Sequence, residues 1–317
     1  MVPSRSPRGL IIDLVTPLRA NGEIDGPGLG RLLDRVLPHV QAVFIASPAL
    51  GQGKNLSTAQ REELLEKTLV VVRGRVPILV WISRDSQEKT RQALLKLEKT
   101  REKRKYSGPI LWVDTPLYYH SNRGLPDYYR NLSSSVQGSY LLHNDPNLVK
   151  ELARPLKRSN IRTSILKEIA KITSIEGLIF LGSLERARNY QKATRSRVDF
   201  RIYDGDESHF LQYPSLSGVV SAGANLAPRA WQRITDSSLN ISGAGDAYPD
   251  QVRQIVETGE YLRKLMSLYR GAPVSLIKQV LSDLGLIEVP RNNLPGNNSE
   301  KRVRALKDLM AAYGDYP

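Results

Sequence analysis

The sequence has no cysteine among its 317 residues. Disulfide bonds, thiolate metal sites and cysteine nucleophiles are therefore excluded. No apolar run approaches the roughly 20 residues that a membrane-spanning helix needs. The beginning of the chain also lacks the apolar segment and small-residue cleavage site that mark a secretory signal. We therefore expect a soluble, cytoplasmic protein that does not contact a membrane.

Histidine is scarce as well, with four residues in the chain, and no two of them have the spacing of metal ligands. Acidic residues follow several predicted strands, namely Asp114, Asp145, Asp204 and Asp206. Such carboxylates can hold a cation, but they also commonly cap the helix that follows. We predict neither a metal site nor a cofactor.

Negative charge is in deficit, because 46 Lys and Arg residues outnumber 32 Asp and Glu residues and leave a net charge of +14. Such an excess can attract nucleic acid or small anions. The densest basic run, KTREKRKY at 99–106, has no aromatic residues between its charges and is predicted to lie in a loop between a helix and the next strand. A solvated helix end explains it better than a nucleic-acid site, because cations are favoured there.

Nearly continuous apolar runs alternate with amphipathic stretches along most of the chain, which is typical of a buried parallel sheet. Eight such runs predict a (β/α)8 TIM barrel. The runs are LIIDLVTP (10–17), AVFIASP (42–48), PILVWIS (77–83), PILWVDTP (109–116), GSYLLHNDP (138–146), GLIFLGS (177–183), FRIYDGD (200–206) and GVVSAGAN (218–225).

Helical patterns fill the intervals between these runs and all of the chain after Pro228. The stretch from Ser57 to Gln60 has the capping-box pattern that opens a helix, and a similar start signal spans 85–88. The tail has helical periodicity without further strands. We therefore predict a barrel over residues 1–228 and a C-terminal helical region over 229–317 that packs on it.

Six short motifs occur in a characteristic order along this pattern. They are LVTPLRANGEID (14–25), NLST (55–58), TPLYYHSNRGL (115–125), HNDP (143–146), DGDE (204–207) and GVVSAGANLAP (218–228). Together they resemble the dihydrodipicolinate synthase / N-acetylneuraminate lyase family of pyruvate-handling aldolases. The resemblance implies a lysine on the sixth strand that forms a Schiff base with a 2-oxo acid, and a homo-oligomer, either a dimer or a tetramer.

The position of that lysine can be placed in two ways. Lys167 and Glu168 look superficially like the family's lysine–glutamate pair, and Lys171 lies close by. Their apolar neighbours, however, recur at helical spacing, which indicates an amphipathic helix. The interval from Ile179 to Gly205 fits a β–α–β unit of about 30 residues, whereas the interval from Lys167 is too long. We therefore place the lysine position within Leu178–Phe180, where no side chain can form an imine.

Other family positions have also changed. The threonine-rich loop that holds the carboxylate of the substrate corresponds to Pro48–Gln52, where Ala49, Leu50, Gly51 and Gln52 offer backbone groups but no hydroxyl. The tyrosine that relays protons corresponds to His143, and a substrate-binding arginine of the synthases corresponds to Leu148. Tyr118 is the better match to a second family tyrosine, although Tyr119 remains an alternative.

These comparisons yield a set of candidate residues at the mouth of the barrel. Tyr118 and His143 are the catalytic candidates, because a histidine with a pKa near neutrality can act as a general base and a tyrosine can relay a proton. His143 can equally be a polar group satisfied by its neighbours, and Tyr118 an interface aromatic. The ligand-binding candidates are Ala49, Leu50, Gly51, Gln52, Tyr119, Asn144, Asp206 and Ser221.

The sequence leaves three functions open, and with them the question whether the chain is an enzyme. The first is a family barrel that has lost the lysine imine, either non-catalytic or with altered chemistry on a small anionic, oxo-acid-like ligand. The second is a working Schiff-base lyase that uses Lys167 or Lys171. The third is a basic nucleic-acid-binding protein, which is the least favoured.

Overall fold

Eight parallel strands close into a barrel in chain order in the computed structural model, which describes residues 6–152, 158–214, 217–239, 248–288 and 298–316. Each strand pairs with the next, and the last pairs with the first. The strands are β1 (Gly9–Asp13), β2 (Ala42–Ile45), β3 (Ile78–Trp81), β4 (Ile110–Asp114), β5 (Ser139–Asn144), β6 (Ile175–Phe180), β7 (Arg201–Asp204) and β8 (Gly218–Ser221). The predicted (β/α)8 architecture is confirmed.

Helices follow the strands and form the outer layer. They are α1 (Gly26–Val36), α2 (Thr58–Val72), α3 (Gln87–Lys103), α4 (Leu125–Ser135), α5 (Pro146–Lys150), α6 (Thr163–Ile169), α7 (Leu184–Thr194), α8 (Glu207–Gln212) and α9 (Pro228–Ser238). Three more helices form the tail: α10 (Tyr248–Tyr269), α11 (Pro273–Asp283) and α12 (Ser299–Ala312). Among the described residues, no helix is long and apolar enough to cross a membrane.

Alternation of side chains along the strands separates two apolar clusters. The larger cluster lies between the barrel and its helices. The smaller one fills the barrel interior with residues from every strand. It contains Ile11, Ala42, Phe44, Leu79, Trp81, Leu111, Val113, Leu141, Leu148, Ile179, Tyr203 and Val220. The interior is therefore packed, and ligands can enter only at an end.

The predicted helix starts and the tail can be compared directly with the structure. Ser57 closes a complete capping box with Gln60 at the start of α2. The prediction of a loop for the basic run at 99–106 is wrong for residues 99–103, because α3 continues to Lys103. The predicted boundary at Pro228 falls at the start of α9, which packs on β1. The division into two domains stays a prediction.

Candidate functional site

Strand β6 decides which side chain stands at the predicted lysine position. All six of its residues are buried, and they include no lysine. Of the predicted window, Leu178 and Phe180 pack outward against the helices, whereas Ile179 belongs to the interior cluster. Ile179 also lines a cavity at the mouth of the barrel. An amine at this position would face a bound ligand, and isoleucine has none.

The two alternative lysines lie outside the barrel. Lys167 is exposed in the last turn of α6, which is the amphipathic helix that the periodicity predicts. Lys171 is exposed just after this helix, and its ammonium forms an ion pair with Glu168 at 2.8 Å. Both amines are in contact with solvent rather than with the cavity, so neither occupies the position that the lyase hypothesis requires.

The mouth of the barrel contains a cavity of about 330 Å³ at the carboxyl ends of the strands. Strand ends form its floor, the loop after β2 forms one wall, and the end of α10 covers it. Its lining residues are Asp13, Phe44, Ser47, Pro48, Ala49, Leu50, His143, Asp145, Ile179, Leu181, Gly205, Asp206, Glu207, Ser208, Val220, Ala222, Met266, Tyr269, Arg270, Gly271 and Pro273. This is the end of the barrel at which active sites of this fold are found.

Asp13 is the most unusual group in the cavity. It is the last residue of β1, and its Oδ1 is buried without a hydrogen-bond partner in the described part of the chain. Burial raises the pKa of Asp13 to about 7, although a hydrogen bond with the Ser47 side chain lowers it, and the charge of Glu207 adds a smaller rise. An unpartnered carboxylate oxygen at the floor of a cavity is suited to accept a hydrogen bond from a ligand.

Glu207, in contrast, has its partners inside the protein. Its Oε1 accepts hydrogen bonds from the Ser221 hydroxyl at 2.5 Å and from the Gly223 N–H at 2.7 Å. Its Oε2 accepts from the Tyr269 hydroxyl at 2.5 Å. Burial raises the pKa of Glu207 despite these donors. These hydrogen bonds join β8 to the tail helix α10, so they hold in place the helix that covers the cavity.

His143 faces the cavity from the end of β5. Its Nδ1 shares a 3.0 Å hydrogen bond with the hydroxyl of Thr115, which also accepts a 2.9 Å hydrogen bond from the indole N–H of Trp81. Burial lowers the pKa of His143. The imidazole is therefore neutral at pH 7, and one ring nitrogen is already committed to the protein. This agrees with both sequence interpretations, the general base and the satisfied polar group.

The predicted loop contributes only part of its length to the cavity. Ala49 and Leu50 line it. The Gly51 backbone is occupied, because its N–H donates to the Ser47 hydroxyl and its carbonyl accepts from another side chain. The Gln52 side chain turns to the tail and accepts a hydrogen bond from Lys278 on α11. Gly51 and Gln52 therefore support the wall rather than form it.

Of the remaining candidates, one lines the cavity and two form hydrogen bonds that hold neighbouring elements in place. Asp206 lines the cavity, and its carboxylate caps α8 by accepting the N–H groups of Ser208 and His209. Ser221 holds Glu207. Asn144 bonds to the backbone N–H of Ile161 and to another side chain, so it joins β5 to the segment before α6.

The two tyrosines lie away from this cavity. Tyr118 packs edge-on against Trp81 and contacts the interior apolar cluster, and it lines a second cavity next to the loops after β2 and β3. Tyr119 donates a 2.6 Å hydrogen bond to the buried carboxylate of Asp114, which also accepts from Tyr129 at 2.8 Å. The structure therefore places His143, Ala49, Leu50 and Asp206 in the lining of one cavity, and neither tyrosine belongs to that lining.

The acidic residues after the strands largely serve the fold. Asp145 caps α5, as Asp206 caps α8. Asp114 is held by three hydroxyl groups, and Asp204 bonds to the ring of His209 at 2.8 Å. Among the described residues, no group of three metal-ligating side chains is placed to hold a metal ion.

Sequence reasoning missed four groups of the mouth: Asp13, Glu207, Tyr269 and Arg270. One of them left a signal, since Asp13 is a charged residue at an inward position of an otherwise apolar strand. The glutamate lies within the DGDE motif but was not singled out. Tyr269 is the last residue of α10 and Arg270 follows it, and no local pattern indicates that this helix covers the barrel.

Comparisons with known proteins agree with this architecture. A family model described as "Dihydrodipicolinate synthetase family" matches residues 6–312. The 4-hydroxy-tetrahydrodipicolinate synthase of Thermotoga neapolitana is 27% identical over 311 residues, which cover 97% of this chain and 99% of that protein. The synthase of Alcanivorax borkumensis is 24% identical over 285 residues, with 89% of each protein covered.

Solved structures show the same fold. A monomeric dihydrodipicolinate synthase variant superimposes with a TM-score of 0.80 at 23% identity, and the match covers 99% of both chains. The dihydrodipicolinate synthase of Thermotoga maritima gives a TM-score of 0.76 at 23% identity over 98% of this chain and 99% of that one. With the family model matching nearly the whole length, this chain belongs to the dihydrodipicolinate synthetase family.

Proposed function

We propose that this chain binds a small ligand in the barrel mouth and works without the lysine imine of its family. The observation that carries the proposal is Ile179, which is the inward residue of β6 within the window Leu178–Phe180 where the sequence places the lysine position. The described lining of the cavity contains no lysine either. The proposal implies that the chain is not a 4-hydroxy-tetrahydrodipicolinate synthase, although its relatives carry that name.

The lining of the cavity favours a ligand that donates hydrogen bonds. Four carboxyl groups, from Asp13, Asp145, Asp206 and Glu207, face one guanidinium, from Arg270. The sequence predicts a small oxo-acid-like anion, which would meet repulsion from those carboxyl groups that are ionised. Asp13 offers the free acceptor. We therefore propose a neutral or cationic ligand, such as a polyol or an amine, with a donor directed at Asp13.

Two groups in the cavity can exchange protons with such a ligand at neutral pH. The pKa of Asp13 is about 7, so its carboxyl group is present in both protonation states at that pH. His143 is neutral, because burial lowers its pKa, and it can accept a proton on the ring nitrogen that Thr115 does not hold. Acid–base chemistry without a covalent intermediate is within reach of this pair.

Reductive trapping separates this proposal from the lyase hypothesis. The protein is incubated with pyruvate and sodium borohydride, and its intact mass and peptide map are then measured. We expect no stable adduct at Lys167, Lys171 or any other lysine. The synthase of Thermotoga maritima serves as the control under identical conditions. An adduct on a lysine that is lost when that residue is changed to arginine would refute imine-independent function.

A ligand panel tests the second half of the proposal. The shift in melting temperature is measured with pyruvate, with erythritol and with putrescine, which represent an oxo acid, a polyol and an amine. We expect stabilisation by the polyol or the amine, and loss of it in Asp13→Asn. Stabilisation by pyruvate alone would restore the anionic ligand and contradict the proposed ligand class.

We also propose that the chain forms a homo-oligomer and that nucleic acid is not its main partner. We expect a homo-oligomer, a dimer or a tetramer, which light scattering after size-exclusion chromatography measures directly. In the basic run at 99–106, Arg101 pairs with Glu98 and Arg104 pairs with Glu66. These pairs leave nucleic-acid binding without a specific supporting observation.

A further inference from the structure

One hydroxyl group decides which nitrogen of the His143 ring carries the proton. Thr115 is buried, and its hydroxyl oxygen accepts a 2.9 Å hydrogen bond from the indole N–H of Trp81. An indole nitrogen can only donate, so the hydroxyl proton of Thr115 still needs an acceptor. Nδ1 of His143, at 3.0 Å, is the one acceptor that the described residues offer. Because a buried hydroxyl group donates its proton, Nδ1 accepts it.

This assignment makes His143 a hydrogen-bond donor towards the cavity. Burial lowers the pKa of His143, so the ring is neutral at pH 7 and carries a single proton. Because Nδ1 accepts from Thr115, that proton is on Nε2. No described residue forms a hydrogen bond with Nε2, and the ring lines the mouth. Nε2 can accept a proton only after it has given this one away, so it first meets a ligand as an N–H donor.

A carboxylate faces this donor from the other side of the barrel. Strands β1 and β5 are opposite each other in the closed ring of eight, so Asp13 and His143 reach the cavity from opposite sides. Oδ1 of Asp13 has no partner in the described part of the chain, and its pKa of about 7 makes the carboxylate an available base. A neutral imidazole donor and a carboxylate base on two sides of a carbonyl compound promote its enolisation.

Two further carboxylates of the mouth suit a ligand with several hydroxyl groups. Asp145 and Asp206 each use one oxygen, Oδ1, to cap a helix. Both residues line the cavity, and no described residue donates to the second oxygen, Oδ2, of either. Hydroxyl groups of a ligand can donate to these oxygens, whereas a carboxylate would be repelled. The volume of about 330 Å³ is near the lower end for ligand pockets, which favours a small sugar.

We propose that the mouth enolises a small, neutral polyhydroxy carbonyl compound, an aldose or a ketose, without a covalent intermediate. Asp13 removes a proton from the carbon next to the carbonyl group. The electron pair of that C–H bond forms a carbon–carbon double bond, and the carbonyl oxygen takes the Nε2 proton of His143. Asp13 then returns its proton to the former carbonyl carbon, the neighbouring hydroxyl group returns a proton to Nε2, and its oxygen becomes the new carbonyl oxygen. This inference rests on the imine-independent function proposed above and adds the substrate class and the reaction.

Deuterium exchange tests the enolisation with the full chain. Erythrulose, a neutral ketose, is incubated with the protein in deuterium oxide, and nuclear magnetic resonance follows the loss of the proton signal next to the carbonyl group. We expect exchange well above the rate in buffer, and a loss of at least about a hundredfold in Asp13→Asn. Asp308→Asn, at an exposed position on α12, is the matched control and should exchange like the unchanged protein. Exchange at the buffer rate, or equal exchange in D13N and D308N, would overturn the proposal.

Thr115 tests the donor role of His143. Thr115→Val removes the hydroxyl proton that keeps Nδ1 an acceptor, so we expect exchange to fall about tenfold, whereas T115S keeps the hydroxyl and should retain it. Melting curves show whether each variant is folded. If T115V is not, H143Q, which supplies an amide N–H, should exchange faster than H143L, which supplies none. Equal exchange within the pair that is measured would overturn the assigned donor.

The ligand panel separates a failure of this inference from a failure of the proposed function. Stabilisation by erythritol or putrescine without exchange of erythrulose would overturn the enolisation and leave the proposed ligand class standing. Stabilisation by neither compound would overturn that ligand class itself. Exchange that is lost when borohydride traps an adduct on a lysine would overturn both, because the reaction would then depend on an imine.

Discussion

Stability near neutral pH should depend on the protonation of Asp13. In the folded chain its pKa rises from 3.8 to about 7, chiefly because the carboxyl group is buried. Between these values the unfolded chain has already lost the proton that the folded chain keeps. The free energy of unfolding therefore falls as the pH rises from about 4 to about 7, and it levels off above that.

The magnitude follows from the two pKa values. At about 1.4 kcal/mol per pKa unit, the rise corresponds to about 4 kcal/mol. This figure is an upper limit, because Asp13 faces an open cavity in which water screens its charge. Asp13→Asn has nearly the same shape but cannot ionise. We expect it to match the original protein at pH 4 and to be more stable by up to about 4 kcal/mol at pH 8.

Urea unfolding at pH 4, 6 and 8 measures this difference, with both proteins followed by circular dichroism. Asp308→Asn is the matched control, because Asp308 is exposed on α12 and the substitution is chemically the same. The control should show a small difference that hardly changes with pH. A constant gap between D13N and the original protein at all three pH values would refute the reasoning. Lower stability of D13N at pH 8 would refute it as well.

Two further predictions concern the support of the fold. Ser57→Ala removes the half of the capping box on α2 in which the Ser57 hydroxyl accepts the N–H of Gln60, and it should lower the free energy of unfolding by about 1 kcal/mol. Ser134→Ala, an exposed helical serine that bonds back to a carbonyl, should change it little in the same urea assay. Tyr129→Phe takes one hydroxyl donor from the buried carboxylate of Asp114 and should cost about 2 kcal/mol. The hydroxyl of Tyr128 bonds to Tyr119 and not to Asp114, so Tyr128→Phe should lower the free energy of unfolding by less. Equal losses for the two variants would contradict the view that the Asp114 carboxylate needs the hydroxyl of Tyr129.

The fold could be read from the sequence because its signals are local. Buried parallel strands are apolar on both faces and appear as continuous apolar runs, whereas the apolar residues of a helix recur every 3.6 residues. The two patterns can therefore be told apart even in adjacent segments. This difference separates α6, with its exposed Lys167, from β6, with its buried Ile179. Helix caps such as Ser57 and Asp206 are equally local, because each bonds to backbone within three residues.

The candidate site was predicted only in part. Chain order places His143 and Asp206 at or just after strand ends, and strand ends of a barrel meet at one mouth. Both residues line the cavity there. Tyr118 also follows a strand, but the turn after β4 directs its side chain to the second cavity and not to the mouth. A shift of one residue in such a turn reverses the direction of a side chain, and no sequence pattern reports it.

The sequence by itself determined the barrel, the family and the absence of a lysine from β6, because each depends on neighbouring residues or on motif order. Only the tertiary structure decided the chemistry of the mouth. It brings Asp13 from β1 next to Glu207 from α8 and covers them with Tyr269 from α10. These contacts join segments far apart in the chain, and the burial that shifts a pKa or isolates a charge exists only after those segments have packed.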